Sequence, residues 1–277
     1  MAKDAGEEIR KEIDRIGERE QGDGFRGHLG ASQIGKKCIR QIWYSFRWAK
    51  TGKHKARTLR IWQRGHDEEP RLIALLRGIG AVVEDCDPST GEQFRIIDHD
   101  GHFGGSCDGK VRNLARFGLE GEGLLEMKTM GDKYFKQLVE KGLALSNVGY
   151  YAQMQVYMHY LGLRWGLFVA VNKNDDELHF VVVPYKREVA ERYRDIAAQV
   201  IEAHKPPPRI SEDSSWWVCK FCDYREICHH EEPPSINCRS CAFASPVEDG
   251  QWRCAKHEAN IPKDFLRKAC GSWDPIA

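Results

Sequence analysis

An α/β domain followed by a small cysteine-rich tail is the fold class this sequence predicts, on three observations. Helix-period segments alternate with short apolar runs of strand length as far as the proline run Pro206–Pro208. The length, 277 residues, suits one large domain plus an appendage. Beyond the prolines the composition shifts and cysteines crowd together.

Residues 4–20 place Ile9, Ile13 and Ile16 on one helical face and predict an amphipathic helix. A Gly-rich break, QGDGFRGHLG, follows. Ser32 suits the N-cap of a helix running through about Phe46, and a second helical pattern spans about 57–77. Short β-like segments come next: AVVEDC at 81–86, EQFRIID at 92–98, GGSCDGKV around Asp108, and LLEMKT at 124–129. Gly and Asp punctuate them as in an antiparallel meander. Helices recur at about 132–142 and 147–162. GLFVAVNK and ELHFVVVPY read as strands joined through Asn174 and Asp175. A helix at about 186–204 ends at the prolines, and Pro233-Pro234 marks a second break. The expected organisation is an N-terminal helix in 1–27, a main domain over 28–232 and a tail over 233–277.

Apolar content of 41% and charged content of 30% fit a soluble globular protein. No apolar run is long enough to span a bilayer, which argues against a membrane partner. The charged, amphipathic start MAKDAGEEIRKEIDRIG is no secretory signal, so a cytoplasmic location is expected. The net charge of +1 hides an uneven distribution. From Arg26 to His66 there is no Asp or Glu, while Lys36, Lys37, Arg40, Arg47, Lys50, Lys53, Lys55, Arg57, Arg60 and Arg64 fall in one stretch. Trp43, Tyr44, Phe46, Trp48 and Trp62 are interleaved with them. Such a mixture can hold a phosphate backbone and stack on bases. The alternative is a solvated helical face with its aromatics in the core.

Asp108 and Glu126-x-Lys128 carry the chemistry. Side chains at i and i+2 of a strand face the same way, so Glu126 and Lys128 share a face and Met127 points into the opposite layer. Two carboxylates suit a hard divalent cation, and a lysine beside them can orient or deprotonate water. Charges inside a strand flanked by Leu124, Leu125 and Met127 need a purpose such as a metal. This is a minimal kit for metal-assisted phosphodiester cleavage.

The order of these elements, together with Arg64-Gly65-His66-Asp67-Glu68-Glu69, Asp108-Gly109 and Tyr151-Ala152-Gln153-Met154-Gln155-Val156-Tyr157, resembles the PD-(D/E)xK nuclease superfamily over roughly 28–230. The similarity is to its lambda-exonuclease-like and RecB-like branches. The resemblance implies a restriction-endonuclease-like core, a central mixed sheet flanked by helices. It implies catalytic roles for Glu69, Asp108, Glu126, Lys128 and Gln153. Glu69, Asp108, Glu126 and the Met127 carbonyl would hold Mg²⁺ or Mn²⁺, with His66, one turn from Glu69, as second choice. It also implies DNA contacts by Ser32 and Tyr157, beside those that the basic stretch offers through Lys36, Lys37, Arg40 and Arg64, with Ser32 at a helix start suited to a 5′-phosphate or serving only as an N-cap. The activity implied is metal-dependent exonucleolytic resection of double-stranded DNA in phage-type recombination or repair, in a bacterial or phage-infected cell. A single-strand annealing protein and a second copy of the chain are the implied protein partners. A CRISPR-adaptation-like nuclease and a DNA-binding adaptor with a vestigial site are the alternatives. The extra tail counts against the first and the intact site against the second.

Ten cysteines are many where disulfides are disfavoured. Cys219, Cys222 and Cys228 are spaced C-x₂-C-x₅-C, and four thiols with Cys38 suit [4Fe–4S] or zinc. The set resembles the AddB-type iron–sulfur staple, which favours the cluster and leaves zinc as the alternative. Cys238, Cys241, Cys254 and Cys270 form a second set suited to structural zinc, with His257 as an alternative to Cys270. A tail of about 40 residues buries little core alone, so metal would supply its folding energy. Cys86 and Cys107 read as buried core thiols.

Overall fold

The two longest strands among the described residues, GLLEMKTM and WGLFVAVN, lie side by side and parallel at the centre of the computed structural model, which describes residues 2–22, 24–50 and 52–276. The elements in chain order are α1 (Ala2–Glu20), β1 (Leu29–Gly30), a 3₁₀ turn (Ala31–Gln33), α2 (Ile39–Phe46), α3 (Ala56–Gly78), β2 (Val82–Glu84), β3 (Arg95–Asp98), β4 (Phe103–Ser106), β5 (Gly109–Arg112), β6 (Gly123–Met130), α4 (Asp132–Lys141), α5 (Leu143–Ser146), α6 (Val148–Leu161), β7 (Trp165–Asn172), β8 (Leu178–Pro184), α7 (Arg187–Glu202), α8 (Trp217–Lys220), α9 (Arg225–His229), β9 (Ala244–Pro246), β10 (Trp252–Cys254), β11 (Ala259–Asn260) and α10 (Lys263–Leu266).

The main sheet has the order β2-β5-β6-β7-β8. Only the β6–β7 pair is parallel, so the sheet is mixed. Leu125 and Met127 of β6, with Val169 and Val171 of β7, pack against Leu72, Ile73 and Leu76 of α3. Leu124 and Phe168 face the other way, into a core built by α2, α6 and α7. The expected α/β sandwich is therefore present, with helices on both faces. No helix among the described residues is long and apolar enough to cross a membrane.

Three local expectations are corrected. The strands after α3 do not form one meander. β3 and β4 make a hairpin through His99, Asp100 and Gly101, whose φ values of 46°, 53° and 83° turn the chain tightly, and β1 joins them in a small second sheet. β2 pairs instead with β5. GGSCDGKV is likewise not one strand: β4 ends at Ser106 and β5 begins at Gly109, so Asp108 sits at the bend where the chain passes between sheets. Gly109 makes the bend with φ 153°, and a Cβ there would lie 2.6 Å from the Glu84 carbonyl oxygen. Ser32 does not cap a helix reaching Phe46. It lies within the 3₁₀ turn, and α2 starts only at Ile39. Between them Gly35 crosses the start of α6 so closely that a Cβ would come within 2.7 Å of Gly149 Cα.

The tail is less detached than its composition suggests. Cys241, Ala244, Trp252, Leu266 and Ile276 join the main core. Backbone bonds run from Ser235 N–H to the Ala49 carbonyl (2.8 Å) and from Gly250 N–H to the Asp100 carbonyl (2.6 Å). Its small sheet, β11-β10-β9, is antiparallel throughout.

Candidate active site

Alternation along β6 decides what the site contains. With Met127 turned toward α3, Glu126 and Lys128 face α6, whose residues Gln153 to Met158 are all buried. Asn147 starts that helix by accepting the Tyr150 N–H at its side-chain oxygen (3.1 Å). Asp108 arrives from the bend before β5, the neighbour of β6. Its Oδ2 accepts the Met127 N–H (2.7 Å) and the Lys128 ammonium (3.2 Å).

The Lys128 ammonium also donates to the Met127 carbonyl (2.8 Å) and meets Glu126 Oε1 at 2.6 Å. One positive charge therefore stands where the oxygens of Asp108, Met127 and Glu126 converge. Gln153 Nε2 donates to the same Glu126 Oε1 (2.9 Å) and fixes the carboxylate from α6. Glu126 is 0% exposed, yet its second oxygen, Oε2, has no hydrogen-bond partner. A buried orphan carboxylate oxygen is costly and rare.

Burial pushes the Glu126 carboxyl up, the Asp108 charge adds to this, and Lys128 opposes it. Burial works against the Lys128 charge too, but Glu126 and Asp108 outweigh it and hold the ammonium above its ordinary value. Glu69 on α3 is pushed up by burial and then by Asp108, with His66 and Lys128 opposing. Glu69 thus belongs to the same electrostatic cluster. His66, 71% exposed at its side chain, reaches Glu69 at 3.3 Å rather than the inner carboxylates. Three carboxylates against one ammonium leave unbalanced negative charge, and an all-oxygen donor set suits a hard divalent cation. By donor chemistry these residues suit Mg²⁺ or Mn²⁺. As placed, no group of three or more His, Cys, Asp or Glu side chains among the described residues has metal-holding geometry.

Several expected contacts fall elsewhere. Tyr157 is not available to a DNA strand. It is 2% exposed, with its hydroxyl packed over Gly105, where a Cβ would meet it at 2.5 Å. Arg40 is turned inward, donating to the Pro207 carbonyl (2.6 Å) and toward Cys228 Sγ (3.5 Å). Arg64 is exposed and donates to the Lys173 carbonyl (3.0 Å). Ser32, Lys36 and Lys37 are exposed; Ser32 accepts from Arg26 (3.2 Å) and Lys37 lies over the Trp217 ring (4.3 Å). Among the interleaved aromatics Trp43, Tyr44, Phe46 and Trp48 are core, and only Trp62 is exposed, at 49%. Cys86 is exposed, contrary to the expectation of a core thiol, because it lies just past the end of β2. Cys107 is buried, and burial with the nearby Glu126 charge pushes its thiol up to about 12, so it is an inert neighbour of the site.

Two groups take places that the sequence did not assign to them. Tyr150, one turn before Gln153, sets its ring 5.7 Å from the Lys128 ammonium. The Gly-rich break supplies Arg26 and His28, which with Lys36, Lys50, His54 and Trp62 line a basic cavity of about 510 Å³. The absence of acids from 26 to 66 was the available signal.

The cysteines gather as two sets of four. Cys38, Cys219, Cys222 and Cys228 line one cavity with Arg40, Tyr44 and Arg209. Cys238, Cys241, Cys254 and Cys270 line another with His257, whose Nε2 is 3.5 Å from Cys270 Sγ. Burial, and after it the neighbouring thiols, pushes Cys219, Cys222 and Cys238 up.

No protein-family model and no curated protein sequence matches the chain. Among solved structures it is similar to an alkaline exonuclease from Laribacter hongkongensis, at 19% identity over 69% of this chain and 90% of that one, with a TM-score of 0.45. The same exonuclease in complex with dAMP matches at 19% identity over 63% and 86%, with a TM-score of 0.46. A phage-related exonuclease from Haemophilus somnus matches at 12% identity over 62% and 91%, with a TM-score of 0.42.

Proposed function

We propose that the chain is a divalent-metal-dependent DNA exonuclease with a PD-(D/E)xK site, resecting double-stranded DNA in phage-type recombination or repair. The observation that carries this reading is the convergence of the Asp108, Glu126 and Met127 oxygens on one cationic point beside the orphan Glu126 Oε2. Glu69, Asp108, Glu126 and the Met127 carbonyl would hold Mg²⁺ or Mn²⁺. When bound, the cation supplies Lewis-acid activation of water and of the scissile phosphate. Gln153 keeps the Glu126 carboxylate turned inward, and Met127 N–H keeps Asp108 aimed at the site. Lys128 stays protonated, so it suits orienting the attacking water and steadying the phosphorane charge better than abstracting a proton. The basic cavity with Arg26, Lys36 and Lys50 offers the phosphate backbone a seat, and Trp62 at its wall can stack on a base. The first cysteine set would carry [4Fe–4S], or zinc, as a staple between Cys38 and the region after α7, closing a loop of about 180 residues.

Asp108→Asn tests the reading most cleanly, because an amide can keep the Met127 bond while losing the charge. The variant is expected to fold and to lose Mg²⁺-dependent degradation of end-labelled duplex DNA. Undiminished degradation would refute the assignment.

A further inference from the structure

Two of the largest fully buried side chains are cations, Arg47 and Arg239, each 1% exposed. Their hydrogen bonds go to backbone carbonyls. Arg47 donates to Arg239 (2.6 Å) and Cys241 (2.7 Å). Arg239 donates to Arg26 and Gly27 (both 3.0 Å) and to Phe46. Aromatic rings wall them in: the Arg239 guanidinium lies 4.3 Å from the Trp48 ring centre and 4.6 Å from that of Trp252. Neutral acceptors and ring faces solvate a guanidinium but do not cancel its charge. Two like charges in one dry pocket therefore call for a counter-charge. Arg239 Nε, moreover, is buried without a partner.

Burial works against the Arg47 charge, and Cys241 opposes this effect as a source of negative charge. Cys238 and Cys241 flank Arg239 in sequence, and their cavity of about 290 Å³ also gathers Cys254 and Cys270. The Arg47 guanidinium already donates to the Cys241 carbonyl.

We propose that Cys238, Cys241, Cys254 and Cys270 bind one zinc ion as four thiolates, and that the double negative charge of this site balances Arg47 and Arg239 and so locks the tail against the basic cavity. Binding breaks four S–H bonds, forms four Zn–S bonds and releases four protons to solvent, with no change of oxidation state. Zn²⁺ with four thiolates carries −2 and the two guanidinium groups carry +2. With His257 in place of Cys270 the site would carry −1 and leave one buried cation unmatched. The charge match thus selects Cys270, and His257 becomes its neighbour. Thiolates favour zinc over the hard cations suited to the Asp108 site.

The consequence reaches the wall of the basic cavity without touching the carboxylates. Arg239 holds the Arg26 and Gly27 carbonyls, and the Trp48 indole, stacked on Arg239, donates to the same Arg26 carbonyl (2.9 Å). Arg26 and Trp48 both line the basic cavity. This inference does not depend on the nuclease reading, because its readouts are metal content and backbone protection.

The test combines metal analysis with hydrogen exchange on the full chain. Cys270→Ser should contain one zinc equivalent less than wild type, and His257→Ala should match wild type. In Cys270→Ser, or in wild type stripped by a zinc chelator should that variant not fold, exchange at 26–30 and 46–49 should rise about ten-fold or more, while 123–130 and 165–172 keep their protection. Arg239→Met should bind zinc about ten-fold or more weakly than Arg239→Lys, which keeps the charge. Full zinc in Cys270→Ser, loss of zinc in His257→Ala, unchanged exchange at 26–30 after zinc removal, or equal zinc affinity of the two Arg239 variants would each overturn the proposal.

Discussion

Replacing Lys128 by methionine should separate the stability of the candidate active site from its activity. Among the described residues the ammonium is the one cation joined to both Asp108 (3.2 Å) and Glu126 (2.6 Å), and it also bonds the Met127 carbonyl (2.8 Å). Removing one partner of a buried ion pair costs about 3–5 kcal/mol. The Lys128 side chain is 24% exposed, which points to the lower end, about 3 kcal/mol. An unfolding entropy of about 2.1 cal/mol/K per residue gives about 0.6 kcal/mol/K for this chain, so the melting temperature should fall by about 5 °C in EDTA. Saturating Mg²⁺ should narrow that gap, because a bound cation offsets the same carboxylates. Nuclease activity should nonetheless stay at least ~100-fold below wild type. The assay is thermal unfolding of both proteins with EDTA and with Mg²⁺, alongside cleavage of end-labelled DNA. A Lys128→Met protein that melts within ~1 °C of wild type in EDTA, or that cleaves as fast, would refute the reasoning.

Three further predictions follow from the same geometry. Glu126 and Glu69 are held above the ordinary carboxylate value of 4.5, first by burial, so the native state keeps protons that the unfolded chain releases. Metal-free stability attributable to them should fall as pH rises above that value, and wild type should lose ground to Glu126→Gln in melts from about pH 5 to about pH 8; the reverse trend would contradict the shift. Lys36→Ala and Lys50→Ala should each weaken DNA binding and reduce the slope of log affinity against log salt by about 0.9, with no slope change counting against a phosphate contact. Gly105→Ala should cost about 1–3 kcal/mol by crowding the Tyr157 hydroxyl, and Tyr157→Phe should restore part of it in urea unfolding; no effect of either change would show that the close approach is relaxed.

Period-two alternation along a strand is a strong signal, and it placed Glu126 and Lys128 on one face and Met127 on the other from the sequence alone. Helix periodicity made α3, α4 and α7 legible in the same way, whereas α6 is buried on every side from Ala152 to Met158 and shows no such period. Asp108 was harder to place. Its segment alternates like a single strand, and nothing local reveals that the chain changes sheets there, since the bend depends on β2 and β6 pairing with β5 from far along the chain. The basic stretch was legible as a charge pattern but not as geometry. Lys36 and Lys50 line the basic cavity, Arg47 is buried, Arg40 serves the cysteine cavity and Arg60 pairs with Asp14 at 2.6 Å. Composition cannot tell an arginine that faces solvent from one walled in by tryptophans, because both occur in stretches that mix basic and aromatic residues. The docking of the tail was hidden in the same way: Arg239 lies inside a C-x₂-C pair, where it looks like a spacer.

Glu69, Asp108 and Glu126 are proposed to serve divalent-metal-dependent exonucleolytic cleavage of DNA. The most direct measurement is the time course of a duplex labelled at one end, followed with Mg²⁺, with Mn²⁺ and with EDTA, for wild type and for Asp108→Asn. The expected result is stepwise loss of nucleotides from an end in either metal, none in EDTA and none from the variant. Degradation that persists in EDTA or in Asp108→Asn, or an intact duplex under every metal condition, would contradict it.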